Sequence, residues 1–192
     1  MCFYRRLTGK EYGLVLAARG FTLVELMFTI TIMAILLAVA APSLINAVLG
    51  NRLNSSANNL IASAILARSE AIKRNKQVAM CVSSNGATCA TGGWEQGWIV
   101  TCRTTDHVNC DPTGPDVLVL QRQTAATGGL RIADTSPGAV ANITFSPSGV
   151  GATVASLRVC RATPSAGSQE RVVEISATGR AYVRKTSDGT CP

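Results

Sequence analysis

Histidine is nearly absent from this 192-residue chain, with His107 the only one. No motif gathers an acid and a nucleophile around that imidazole, so the sequence holds no Ser-His-Asp or Cys-His constellation and is not expected to be an enzyme. Metal-ligand spacing is missing too. None of the seven cysteines falls in a C-x-x-C pair, so a zinc site would lack both its thiolate pairs and its histidines. Gly149-Val150-Gly151 has no third glycine and no strand-to-helix context, which excludes a dinucleotide loop. The expectation is no catalytic residue, no metal and no cofactor. Repeats, low-complexity tracts and free-standing linkers are also lacking, so the length fits one domain plus one long extra element.

Charge is nearly absent from one block. Residues 21–41, FTLVELMFTITIMAILLAVAA, carry Glu25 alone, and about 20 apolar residues suffice to cross a hydrocarbon core of roughly 30 Å. Arg5, Arg6, Lys10 and Arg19 precede the block and the next basic residue is Arg52, so the positive-inside tendency puts residues 1–20 in the cytoplasm and the remainder outside. Ala38-Val39-Ala40 has the small residues of a secretory cleavage site, although no cysteine lies near it for lipidation. Glu25 argues against that reading. An ionised carboxylate inside an apolar span costs about 3 kcal/mol or more and calls for a cation.

Arg19-Gly20-Phe21-Thr22-Leu23-Val24-Glu25-Leu26 resembles the prepilin-peptidase recognition motif of type IV pilins and type II secretion pseudopilins. The resemblance implies cleavage by prepilin peptidase between Gly20 and Phe21 and methylation of the new amino group. The apolar helix would be kept, first as a single-pass anchor in the bacterial inner membrane and then packed among major and minor pilins in a filament. Glu25 would neutralise the N-terminal ammonium of a neighbouring subunit, so that two groups costly alone in lipid become tolerable together. The implied fold class is α+β, the type IV pilin-like fold: a long N-terminal helix packed on a small antiparallel β-sheet domain. Residues 1–20 are then a leader, 21–42 the membrane and filament-core half of the helix, 43–76 its amphipathic half, and 77–192 a β-rich domain in the periplasm and later in an extracellular pilus.

From Ser43 onward, Leu49, Leu53, Leu60, Ala64, Ala67 and Ala71 recur at helical steps while Arg52, Asn59, Glu70, Lys73, Arg74 and Lys76 fall mainly elsewhere. This predicts one helix from Thr22 to about Asn75, roughly 80 Å long. The alanines suit a sheet lying close against the helix better than a leucine-zipper seam. Eight β-branched runs follow: 77–83, 97–102, 117–123, 130–133, 142–145, 156–161, 170–175 and 181–185, forming one antiparallel sheet or two small ones. Cys2 lies in the leader segment. Six cysteines remain, Cys81, Cys89, Cys102, Cys110, Cys160 and Cys191; they allow 15 connectivities, and pairing of near neighbours gives Cys81–Cys89, Cys102–Cys110 and Cys160–Cys191. Trp98 is expected to anchor the sheet on the helix and Trp94 to pack at a turn.

Leu66-Ala67-Arg68-Ser69-Glu70-Ala71-Ile72-Lys73-Arg74-Asn75, with Trp94-Glu95-Gln96-Gly97-Trp98-Ile99-Val100, resembles the GspH/FimT subgroup of minor pilins and pseudopilins. Net charge is +7, and residues 158–185 hold six basic residues against two acidic ones. Within that stretch, Arg180, Tyr182 and Arg184 alternate with Ala181 and Val183, which places the first three on one strand face and the other two towards the core. Two guanidiniums flanking a phenol suit phosphates and a base, and Lys185, Arg161 and Arg171 are candidates to extend the patch. Alternating charge is also how an edge strand avoids aggregation. The FimT resemblance implies sequence-independent DNA binding through a Gly-Arg-x-Arg motif during natural transformation. Gly179 and Arg180 match its first half; the next arginine, Arg184, lies two positions late. The alternative is a GspH-like pseudopilin of a type II secretion system with a purely structural role.

Overall fold

The computed structural model describes residues 20–102, 118–150, 152–163, 165–186 and 191. The chain divides into two units, with the boundary between Ser43 and Leu44. Helix α1, Leu23–Arg74, contributes to both.

In the first unit the helix begins at Thr22, whose hydroxyl accepts the Glu25 N–H at 3.2 Å and so satisfies one of the amides that a helix start leaves open. Leu23 to Leu37 presents its apolar side chains outward, and α1 as a helix is long and apolar enough to cross a membrane. Two hydroxyls interrupt the apolar surface. Thr29 and Thr31 donate back to the carbonyls of Leu26 and Met27 at 2.8 and 2.7 Å, so neither carries an unmet donor into lipid.

In the second unit the helix has one buried face, formed by Leu49, Leu53, Ala57, Leu60, Ala64, Ala67 and Ala71. It stops for a local reason. Asn75 takes a left-handed φ of 52°, the Asn75 N–H donates to Ile72 O and the Lys76 N–H donates to Ala71 O, the two bonds of a Schellman end. Lys73 and Arg74 in the last turn complement the helix dipole, and both pair with Glu70.

Eight strands follow: β1 Val78–Val82, β2 Trp98–Cys102, β3 Val119–Gln123, β4 Arg131–Asp134, β5 Asn142–Phe145, β6 Ala155–Cys160, β7 Arg171–Ile175 and β8 Ala181–Lys185. They form two four-stranded sheets, ordered β3-β2-β1-β5 and β4-β6-β7-β8, and every neighbouring pair is antiparallel. The helix alanines, Val78, Met80, Val100, Phe145, Leu157, Val173 and Ile175 belong to one continuous core. Trp98 ties helix to sheet: it is 2% exposed, and its indole donates to Ser63 Oγ at 2.9 Å, while Ser63 itself donates to Asn59 O. Trp94 packs in the short 3-10 turn Trp94–Gln96 and donates to Val140 O, its ring 6.5 Å from that of Trp98. Both indoles are buried, so neither offers a stacking surface.

Disulfides join Cys81 to Cys89 and Cys160 to Cys191. Cys102 is also disulfide-bonded, and Cys110 lies outside the described residues.

Candidate nucleic-acid interface

Residues 176–180 turn β7 into β8. Gly179 has a φ of 69°, a conformation that favours glycine, and a Cβ there would crowd Arg68 Cδ at 3.2 Å. The Ser176 hydroxyl accepts the Arg180 N–H and donates to Arg180 O, which holds the arginine at the mouth of the hairpin.

β8 is an edge strand, and its register against β7 sets Tyr182 opposite Glu174 and Arg184 opposite Val172. Glu174 organises this face. The Tyr182 hydroxyl donates to one carboxylate oxygen, and Arg184 Nε lies 2.5 Å from the other. β6 continues the row, with Arg158 opposite Val172, so Arg158 and Arg184 share a sheet face two strands apart.

The predicted basic surface is therefore divided. Tyr182 and Arg184 gather around Glu174. Arg180 precedes the strand, escapes its period of two, and lines a groove of about 290 Å³ with Ile65, Arg68, Ser69, Ile72 and Ala181 of helix and strand. Lys185 is exposed but has the opposite parity to Arg184. Val183, expected in the core, is 41% exposed because it sits on the sheet edge, whereas Ala181 does pack against the core. Arg171 does not extend the patch: it is buried, donating to Asn54 Oδ1 and to the carbonyls of Gln169 and Glu170. Arg161 lines a different groove, with Leu44, Val48 and Arg52.

Sequence reasoning missed Glu174 and Arg158. Glu174 and Tyr182 are equidistant from Thr178 at the centre of the turn, so counting outward from the hairpin would have paired them. Arg158 follows from the alternation of Ser156 and Arg158 with buried Leu157 and Val159.

The hydrogen bond from Tyr182, and then that from Arg184, holds the Glu174 carboxyl below its ordinary range, while the same Tyr182–Glu174 bond raises the phenol above its own. A depressed carboxyl contributes above its ordinary pKa and stops as pH falls through the lowered one. A raised phenol contributes below its ordinary value and stops as pH rises through the raised one. The cluster thus contributes in full between the ordinary carboxylate and phenol values, and is lost only below the lowered carboxyl value and above the raised phenol value. Tyr182 is the only tyrosine after residue 20, so absorbance titration of the chain beginning at Phe21 reads it alone. Its midpoint is expected above that of free tyrosine and should fall back in Glu174→Gln; an unchanged midpoint denies the contact.

A long apolar-headed helix joined to two small antiparallel sheets with an edge hairpin defines a type IV pilin-like subunit. The family profile of the type II transport protein GspH matches residues 56–179, and the prokaryotic N-terminal methylation motif matches residues 16–41. The chain belongs to the GspH family, as a minor pilin or pseudopilin whose apolar N-terminal helix fits a single-pass membrane anchor and whose family suggests assembly with other pilins in a filament. No curated protein matches it. Among solved structures, the type IV minor pilin FimU of Pseudomonas aeruginosa is similar at 21% identity with a TM-score of 0.50, covering 70% of this chain and 89% of FimU. The minor pseudopilin EpsH of the Vibrio cholerae type II secretion system is similar at 15% identity with a TM-score of 0.45, covering 72% of this chain and 99% of EpsH. At 21% identity the likeness to FimU is one of fold.

Proposed function

We propose that this subunit is a minor type IV pilin that helps assemble a pilus and holds DNA, without regard to sequence, during uptake in natural transformation. Prepilin peptidase would cut between Gly20 and Phe21, leaving Glu25 to meet the neighbouring ammonium and the β-rich unit in the periplasm until the subunit enters the filament. An intact mass corresponding to a methylated chain beginning at Phe21 is expected; a chain beginning after Ala40 would exclude the filament role.

What carries the DNA reading is the exposed hairpin that presents Arg180, Tyr182, Arg184 and Lys185. Arg180 and Lys185 have no carboxylate partner among the described residues. Binding through phosphates releases counterions, so it weakens steeply with salt. With about three phosphate contacts, affinity is expected to fall roughly 40-fold between about 50 and 200 mM salt. Glu174→Gln removes the carboxylate at the centre of this face and is expected to tighten binding two- to fivefold. No DNA retention at low salt would remove the proposal.

The second reading is a structural pseudopilin. Glu174 favours it, because a carboxylate engaging Arg184 and Tyr182 already satisfies half of the predicted DNA surface within the subunit.

A further inference from the structure

We infer that the groove between α1 and the β7–β8 turn binds a DNA backbone phosphate, with Arg68 of the helix acting as the second guanidinium beside Arg180. The inference rests on the DNA reading above and relocates its contact from the outer sheet face to the helix side.

Three observations converge there. Arg68 and Arg180 line the same groove, although 112 positions separate them in sequence. Gly179 lets them do so: its missing Cβ leaves room for the Arg68 stem, with Arg68 Cδ at 3.2 Å and Nε at 3.4 Å from where that atom would stand. Arg68 Nε is buried with no hydrogen-bond partner, and neither Arg68 nor Arg180 has an ion pair among the described residues.

A guanidinium donor buried without an acceptor is costly, and groups left in that state ask for an explanation. An anion supplies one. Phosphodiester oxygens accept from guanidinium in bidentate geometry, which suits a fork held by packing better than a mobile lysine. The nearest acid on the helix, Glu70, is taken by Lys73 and Arg74, so it does not compete. The groove, about 290 Å³ and open to solvent, has room for one phosphodiester with its sugar against Ile65 and Ile72. Those two isoleucines are 55% and 50% exposed, so the groove offers an apolar floor beside two cations. On the other side of β8, by contrast, Arg184 already has its carboxylate.

The test is fluorescence anisotropy of labelled single- and double-stranded oligonucleotides with the full chain in detergent micelles. Arg68→Gln is expected to weaken binding five- to tenfold and to flatten the salt slope by about one contact, with Arg180→Gln alike. Arg68→Lys should keep the slope while losing part of the affinity. Because Arg68 is partly packed, exposed Ser69 provides a second variant: Ser69→Glu puts a negative charge at the groove rim without disturbing the core and is expected to weaken binding at least tenfold. Arg122→Gln, on β3 of the other sheet, removes an exposed charge away from the groove and should stay within twofold of the parent. If the parent chain binds DNA but Arg68→Gln and Ser69→Glu bind equally well, the groove assignment is overturned while the DNA reading stands. A loss confined to Arg184 and Lys185 variants overturns it in the same way. If the parent does not bind at low salt, both fail. A change in subunit association without a change in DNA affinity would mean that the groove takes a neighbour's carboxylate, and would also overturn the proposal.

Discussion

Trp98→Ala is expected to destabilise the β-rich unit by about 3–5 kcal/mol, the range for emptying a buried tryptophan site. The indole is 2% exposed, lies in the sheet that faces the alanine side of α1, and donates its only N–H to Ser63. Removing it empties a buried site beside Ser63 of the helix and the Trp94 ring, and a core held by helix and sheet backbone closes such a gap only in part. Two companions divide the effect. Trp98→Phe retains most of the volume and should cost about half as much, while Ser63→Ala keeps the packing and leaves one indole donor unmet, at about 1–2 kcal/mol. Denaturant midpoints with a shared slope would provide the comparison. A Trp98→Ala change below about 1 kcal/mol would mean that the contact does not join helix to sheet.

Replacing Cys160 and Cys191 together by alanine should remove about 3–4 kcal/mol. The bond closes a segment with a sequence separation of 31 and spans β7 and β8, so the unfolded chain regains the entropy that the closed loop had withheld. The loss differs in character from that at Cys81–Cys89, whose separation of 8 closes a short loop and predicts roughly 2–3 kcal/mol. Cys160 is wholly buried at the end of β6 and Cys191 is not, so the double alanine variant leaves a small filled site rather than an unmet polar group. Unfolding midpoints under oxidising and reducing conditions check the order. Equal losses at the two bonds would show that loop length does not govern the effect.

Periodicity carried the architecture of this chain. The six helix positions that the three- and four-residue steps singled out, from Leu49 to Ala71, are all buried, with Ala57 and Ser63 buried beside them, and each of the eight strands lies within two residues of its β-branched run. Local signals sufficed because these elements are specified by neighbours in sequence: Thr22 caps one end of the helix, and Asn75 closes the other. Sheet order was not legible. β5 returns to pair with β1, and β4 leaves its neighbours to pair with β6, choices set by long-range packing that no local pattern encodes.

The candidate interface was legible only in outline. Alternation read correctly along β8 but was extended one residue too far, to Arg180, where the chain is still in the turn. It also assumed that an inward parity means burial, which fails for Val183 at the sheet edge. Arg171 misled because charge alone marked it as exposed, whereas its guanidinium satisfies Asn54 and two carbonyls inside the unit. Arg68 was quoted as part of a family-like segment, but its meeting with Gly179 arises from tertiary packing.

The alanine stripe also sets a phase. Each residue added to an α-helix rotates everything beyond it by about 100°, so a one-residue insertion between Leu53 and Ala64 would swing Ala67 and Ala71 off the sheet and carry Arg68 away from Gly179. Changes of about seven or eleven residues bring the angle back to within about 20°, and even those slide the contact along the rod. Relatives that vary in length should therefore do so in turns and loops, keeping this part of the rod at constant register.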